Sequence, residues 1–135
     1  MGNTYRKLGK YQEAIEAYQE AIKIKSDYHK AYYNMGNVYN RLEQYQEAIE
    51  AYQEAIKIKS DDHKAYFNMG VAYKKLEQYQ EAINAYEKAV GIEPDVINHS
   101  KQQDWTVLEE WVNGQGESGV KERNLLVLKQ LKGDG

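Results

Sequence analysis

The sequence predicts an all-α fold, an α-solenoid of stacked antiparallel helix pairs with further helices at its C-terminal end. The main observation is a repeat. The segment LEQYQEAI occupies residues 42–49 and again 76–83, the related LGKYQEAI occupies 8–15, and successive starts are 34 residues apart. Apolar residues in these segments recur at gaps of three and four, which is the period of a helix. Proline occurs once in the 135 residues, which also favours helix.

The repeat extends through the first two-thirds of the chain. Residues 1–28 match residues 35–62 at 22 of 28 positions, and residues 29–62 match residues 63–96 at 21 of 34. Self-similarity at this period indicates supersecondary units that bury their apolar faces against one another. We therefore divide the array at residues 1–96 into a first unit at 1–28, which lacks six opening residues, and two complete units at 29–62 and 63–96.

Each complete unit is predicted to contain two helices. In the unit 29–62, apolar residues recur at helical gaps along 29–42 and again along 45–56, and residues 43–44 separate the two runs. Ser, Asp and Asp at 60–62 can cap the helix that follows, and Pro94 ends the last unit. By alignment with residues 43–44, the first unit is expected to break at Gly9-Lys10.

Small residues recur where two helices are expected to approach closely. Gly36 and Ala48 leave room for antiparallel neighbours, and added bulk there would cost about 1–3 kcal/mol. Ala55 serves the next unit in the same way. Most of the 13 tyrosines occupy repeat positions, where each large side chain contributes roughly 1.5–3 kcal/mol on burial. The tyrosines are therefore interpreted as packing residues.

The pattern stops after Pro94, and the remaining residues are predicted to form two further helices. Ser100 and Gln103 are spaced as a capping box, which predicts a capping helix within 97–113 that covers the last unit. Gly-rich residues 114–119 are predicted to be a flexible linker. A tail helix is predicted at 120–135. Because the tail is apolar on nearly all sides, it is expected either to fold back on the array or to meet another chain.

The recurring residues of the complete units resemble the tetratricopeptide repeat (TPR) family. That family places aromatic, large apolar, glycine and alanine residues at fixed positions of a 34-residue unit. The matching residues are Tyr32, Met35, Gly36, Tyr39, Tyr45, Ala48, Tyr52, Ala55 and Ser60, and then Tyr66, Met69, Gly70, Tyr73, Tyr79, Ala82, Tyr86, Ala89 and Pro94. The resemblance implies a right-handed solenoid of about 2.8 units, whose first helices line a concave face that binds an extended peptide or a partner helix.

The first helices of the units carry basic, amide and aromatic residues on the side opposite their apolar stripe, whereas the second helices carry most of the acids. Asparagine amides both donate and accept, so Asn34 and Asn68 are expected to form a short ladder along a peptide main chain. The basic residues predict an acidic partner. The candidate peptide-binding residues are Asn3, Arg6, Lys30, Tyr33, Asn34, Asn37, Arg41, Lys64, Phe67, Asn68, Lys74 and Lys75.

The resemblance also implies a sharper alternative. TPR domains that hold the C-terminal carboxylate of heat-shock chaperones use a clamp of Lys, Asn, Asn, Lys and Arg. Asn3, Asn34 and Lys64 stand at three of these places, Asn68 stands at the arginine place, and the first lysine place precedes Met1. A polar face that is merely solvated is the third interpretation.

Other kinds of site find little support in the sequence. The chain has no cysteine, and His29 and His63 occupy equivalent places of adjacent units, too far apart to share a metal at bonds of about 2 Å. No nucleophile–base arrangement, phosphate loop or carboxylate pair suggests catalysis. We therefore predict no enzyme activity, no metal and no cofactor, and the acidic second helices argue against nucleic acid.

No apolar run approaches the roughly 20 residues of a membrane span, and the N-terminal residues lack a secretion signal, so a cytoplasmic protein without membrane contact is expected. The predicted function is protein or peptide binding. The alternative is a self-assembling structural piece, or a fragment of a larger TPR protein whose activity lies elsewhere. Apolar surfaces at the first unit and at the tail also predict a homo-oligomer.

Overall fold

The computed structural model describes residues 2–96 and 103–133, and it describes the side chains of 8–95 and 103–133. These residues form seven α-helices and no strand. The helices are α1 (Gly2–Ile24), α2 (His29–Arg41), α3 (Tyr45–Ile58), α4 (His63–Lys75), α5 (Tyr79–Ile92), α6 (Thr106–Asn113) and α7 (Gly119–Lys132), with a 3₁₀ turn at Pro94–Val96. Each of α2 to α5 packs on the helix before it, which confirms the predicted solenoid of stacked helix pairs.

The two complete units reverse direction through identical turns. Glu43 and Glu77 adopt left-handed backbone conformations with φ of 60° and 61°. Such a conformation costs a residue with a side chain roughly 1–2 kcal/mol. The turn is held by a backbone bond of 2.9 Å from Gln44 N–H to the Tyr39 carbonyl, and by the equivalent 2.9 Å bond from Gln78 to Tyr73. The predicted break between the helices at residues 43–44 is confirmed.

The predicted break at Gly9-Lys10 is wrong, because α1 runs as one helix of 23 residues from Gly2 to Ile24. In the complete units, the turn is stabilised by a first helix of 13 residues that packs along the second helix. Only residues 2–8 precede Gly9 in α1, and so short a segment offers little packing area in exchange. A continuous helix satisfies the backbone hydrogen-bonding groups locally, which is the lower-cost solution here.

The predicted close approach of the paired helices is confirmed at both glycines. A Cβ atom on Gly36 would lie 2.6 Å from the Tyr52 ring, and one on Gly70 would lie 2.8 Å from the Tyr86 ring. Both tyrosine side chains are fully buried. The glycines therefore let each aromatic ring lie directly against the backbone of the neighbouring helix.

The capping helix is shorter than predicted. Ser100 lies outside the described residues, but Gln103 to Trp105 are not helical and α6 begins at Thr106. A helix that starts at the predicted capping box is therefore wrong. The Asp104 carboxylate accepts a bond of 3.0 Å from the Thr106 N–H, and it thereby satisfies one of the open donors at the start of α6.

The tail helix α7 has a place within its own chain. Val127, Leu128 and Leu131 are buried in a cluster that also contains residues of α4, α5 and α6. Asn124, which is 1% exposed, exchanges bonds of 2.8 and 3.1 Å with Gln80 of α5. The tail thus folds back on the array, and residues 114–118 connect it to α6.

Candidate peptide-binding groove

The first helices α2 and α4 border a groove of about 440 Å³, which we call the main groove. Tyr33 of α2 and Lys64, Phe67 and Asn68 of α4 are four of the predicted site residues, and the structure brings them together here. Three residues that the sequence analysis did not assign to the site complete the lining, namely His63, Glu93 and Asp95. The groove therefore combines aromatic surface with groups of both charges.

Asn68 is committed to bonds within the chain. Its Nδ2 group donates to the Tyr33 hydroxyl and to Asn37 Oδ1, with both distances 3.2 Å. Because an amide NH₂ has two hydrogens, only the carbonyl oxygen of Asn68 has unused capacity toward a ligand. The predicted ladder, in which Asn68 both donates and accepts, therefore requires correction.

Asn37 forms part of the support beneath the main groove. Its Oδ1 atom also accepts a 2.5 Å bond from the Tyr52 hydroxyl, whose oxygen in turn accepts from Asn40 Nδ2 at 3.0 Å. Burial raises the pKa of Tyr52 well above its ordinary value, so this hydroxyl remains a donor. The bonds from Asn40 through Tyr52 and Asn37 to Asn68 hold α2, α3 and α4 in register.

Lys30 and Asn34 line a different opening. This second recess has a volume of about 250 Å³ and lies between α1 and α2. Its other lining residues are Ala17, Tyr18, Ala21, Tyr28 and Ala31. Of the clamp residues, Lys64 and Asn34 thus border separate openings.

Lys74 is not open to a ligand in the way that the sequence predicted. Its Nζ atom lies 5.2 Å from the centre of the Trp105 ring and 3.5 Å from the Asp104 carbonyl oxygen. Desolvation, together with the neighbouring Lys75, lowers the pKa of Lys74. The segment before α6 occupies this position because it covers the exposed end of the last unit.

The remaining predicted residues differ in their surroundings. Phe67 is only 8% exposed, and its ring contacts the Tyr86 ring at a centroid distance of 5.2 Å, so it is mainly a core residue with one edge in the main groove. Arg41 and Lys75 are exposed at the C-terminal ends of α2 and α4 and do not line the groove. The side chains of Asn3 and Arg6 lie outside the described residues.

The acidic wall of the main groove comes from the end of the third unit. Glu93 Oε1 accepts a 3.1 Å bond from the Asp95 N–H, which fixes the 3₁₀ turn after α5. Both residues lie outside the first helices, on which the predicted site was based, and they were therefore not predicted. One signal was available: Glu93 is aligned with Lys59 of the preceding unit, so the charge at this junction is reversed.

His29 links the start of α2 to the start of α4 through Asp62. Its Nε2 atom lies 2.5 Å from Asp62 Oδ2, and the other carboxylate oxygen caps α4 by accepting from the Ala65 N–H at 3.1 Å. Among residues 2–96 and 103–133, no three histidine, cysteine or acidic side chains lie close enough to hold a metal ion. In the same ranges, no helix has the length and hydropathy of a membrane-spanning segment.

The stacked helix pairs agree with comparisons of the sequence with protein families. A TPR repeat model matches residues 2–43 and again 36–77, and the tetratricopeptide repeat model matches residues 63–96. The chain belongs to the TPR family. A comparison of this TPR protein with curated proteins gives no significant match.

Solved structures show the same architecture. The first TPR domain of Spaghetti (RPAP3), bound to the HSP90 peptide SRMEEVD, is 31% identical with a TM-score of 0.61, over 69% of this chain and 74% of that one. The second TPR domain of human RPAP3, in complex with the HSP70 peptide SGPTIEEVD, is 30% identical with a TM-score of 0.61, over 69% and 78%. The structure of MamA is 26% identical with a TM-score of 0.72, over 96% and 71%.

Proposed function

We propose that this TPR chain is a non-enzymatic interaction module that binds an extended acidic peptide in the main groove. The observation that carries the proposal is the lining of the groove, where Lys64 stands beside the aromatic surface of Tyr33 and Phe67. An acidic side chain or terminal carboxylate would pair with Lys64, and an apolar side chain would pack on the aromatic edges. The Asn68 carbonyl oxygen would accept a bond from a peptide N–H.

The structural neighbours support this choice of ligand. Both RPAP3 domains are bound to peptides that end in EEVD, and such peptides carry three carboxylates near the C-terminus besides the terminal one. The clamp of this chain is incomplete, because Asn68 stands where the clamp pattern has arginine and its amide hydrogens are already used. We therefore expect weaker binding than a full clamp provides.

The direct test is the affinity for SRMEEVD, measured by fluorescence anisotropy with a labelled peptide. The Lys64→Ala variant should weaken binding about fivefold, which corresponds to about 1 kcal/mol for a solvent-accessible ion pair. Lys88→Ala is the matched control, because Lys88 is an exposed lysine in a recess lined by α4, α5 and α7. Equal affinity of the parent and Lys64→Ala chains would contradict the proposed contact.

The acidic wall provides a second test, in which the substitution should strengthen peptide binding rather than weaken it. Glu93 and Asp95 face the same groove as Lys64 and should repel an acidic ligand. The paired variant Glu93→Gln and Asp95→Asn should therefore strengthen binding of SRMEEVD, and the gain should shrink as salt is raised because screening weakens the repulsion. Weaker binding of this variant at low salt would show that the peptide lies elsewhere.

A further inference from the structure

Two segments of identical sequence have different surroundings in this structure. Residues 11–24 of α1 and residues 45–58 of α3 both read YQEAIEAYQEAIKI. In α3, Ala48, Tyr52 and Ala55 are completely buried. Their counterparts in α1, which are Ala14, Tyr18 and Ala21, are only partly buried. The same apolar face is thus covered in α3 and partly open in α1, and we call the α1 face the open face.

The cover that α3 receives comes from α2. Gly36 lies directly against the Tyr52 ring, and Asn37 and Asn40 bond the Tyr52 hydroxyl. In the aligned sequence, Gly2 takes the place of Gly36 and Asn3 takes the place of Asn37. Residues 2–8 therefore carry the residues that match the open face.

Residues 2–8 cannot cover the open face of their own chain in this structure. They continue α1 in the same helix, and Gly2 and Tyr18 are 16 residues apart along it. At a rise of 1.5 Å per residue, this separation is about 24 Å. Residues 2–8 and the open face therefore lie at different places along one continuous helix.

We propose that a second copy of this chain covers the open face. Two α1 helices would pair antiparallel, with residues 2–8 of each chain on residues 12–18 of the other, so that Gly2 faces Tyr18 as Gly36 faces Tyr52. The exchange is reciprocal, so it closes as a two-fold dimer in which each chain supplies the element that the other lacks. The occupant is argued from residue pattern, because Gly2 and Asn3 of the second copy match the two residues, glycine and asparagine, that cover Tyr52 in α3.

The second recess also favours a second copy of the chain as the partner. It lies beside the open face and is lined on the α1 side by Ala17, Tyr18 and Ala21. The proposed dimer interface is formed by α1, whereas the main groove is formed mainly by α2 and α4. An experiment that disproves the dimer therefore leaves the proposed peptide binding untouched, and the reverse also holds.

Cysteine cross-linking tests the arrangement directly, because the chain has no cysteine of its own. We would introduce Gly2→Cys together with Tyr18→Cys, oxidise the protein, and measure its mass under denaturing, non-reducing conditions. The exchanged dimer predicts a covalent dimer. A monomer with an internal disulfide would show that residues 2–8 fold back on their own chain, and a monomer with two free thiols would show that no exchange occurs. Either of these monomers overturns the proposal.

The single variant Gly2→Cys is the control and should not cross-link, since the two Gly2 residues lie at opposite ends of the interface.

Sedimentation of the unmodified chain provides a test without cross-links. At high micromolar concentration the parent should sediment with twice the monomer mass, and Ala14→Glu should halve that mass because it places a charge in the open face. Ile24→Glu is the matched control, since Ile24 is 88% exposed on the same helix, and this variant should remain dimeric. Circular dichroism would verify that both variants keep the helicity of the parent. A parent chain that sediments as a monomer, or Ala14→Glu and Ile24→Glu chains of equal mass, would overturn the proposal.

Discussion

The helix pairs α2–α3 and α4–α5 have the same backbone and different polar interiors. In both pairs a left-handed glutamate makes the turn and a glycine lies against a fully buried tyrosine. The Tyr52 hydroxyl has two asparagine partners, whereas the Tyr86 hydroxyl is buried without a hydrogen-bond partner among the described residues. The repeat thus fixes the position of the ring but not the bonds of its hydroxyl.

The difference arises from two aligned positions and from the next layer of the array. Val71 stands where α2 has Asn37, and Lys74 stands where it has Asn40. On the far side, Tyr52 faces the following unit, but Tyr86 contacts the Trp105 ring edge-to-face at 5.0 Å. An interior unit can share a polar network with its neighbour, and the terminal unit instead receives an apolar cap.

The largest expected effect is at that cap. Trp105 is 5% exposed and belongs to the cluster formed by α4 to α7. Trp105→Ala should lower the free energy of unfolding by about 3–5 kcal/mol, because it removes a large side chain and leaves a cavity over Tyr86. Urea denaturation followed by circular dichroism would measure the loss. A change below 1 kcal/mol would mean that the cap contributes little to the stability of the last unit.

Removing the tyrosine hydroxyl should change the free energy of unfolding by different amounts in the two units. Tyr52→Phe should cost about 1–3 kcal/mol, because the bonds to Asn37 and Asn40 are lost and a part-buried amide donor of Asn40 is left without its partner. Tyr86→Phe should be neutral or stabilising, because the hydroxyl that it removes has no partner to lose. The two variants differ from the parent by the same single atom, so each is the control for the other. Equal destabilisation in urea denaturation would contradict the difference between the units.

Alkaline pH should act through the same two residues. Burial raises the pKa of both Tyr52 and Tyr86. In the unfolded chain, tyrosine ionises at a pKa of about 10, so the stability from these groups is fully present below that pH and falls as pH rises above it. The loss should be about 1.4 kcal/mol per tyrosine for each pH unit. Comparing urea midpoints at pH 8 and pH 11, we expect Tyr86→Phe to lose less than the parent, and an equal loss would be evidence against this linkage.

The smallest expected effect is at the two glycines. Gly36→Ala adds a Cβ at 2.6 Å from the Tyr52 ring, which is held by two hydrogen bonds, whereas Gly70→Ala adds one at 2.8 Å from Tyr86. Overpacking costs about 1–3 kcal/mol and the gain in helix propensity offsets about 1 kcal/mol. Gly36→Ala should therefore be the more destabilising of the two, by under about 1 kcal/mol. Thermal unfolding of both variants would measure which one is the less stable. A less stable Gly70→Ala variant would contradict the prediction.

Part of the candidate site could be predicted from the sequence, and part of it could not. Helical spacing placed Tyr33, Lys64 and Asn68 on the first helices, and the structure brings them into one groove. The bonds that occupy the Asn68 amide depend on a hydroxyl and a carbonyl in another helix, 35 and 31 residues away. Periodicity along one helix contains no information about such partners, so it also missed Glu93 and Asp95 and counted Lys74 as free.

Residues 11–24 and 45–58 show most clearly what the local sequence decides and what the tertiary structure decides. Their common sequence specifies a helix with one apolar face in both places, because helical propensity and spacing are local properties. The burial of that face is not local. It depends on whether the preceding residues turn back, as they do at Glu43, or continue straight, as they do at Gly9. The tertiary structure makes that choice, because a turn forms only where the packing it permits exceeds the cost of making it.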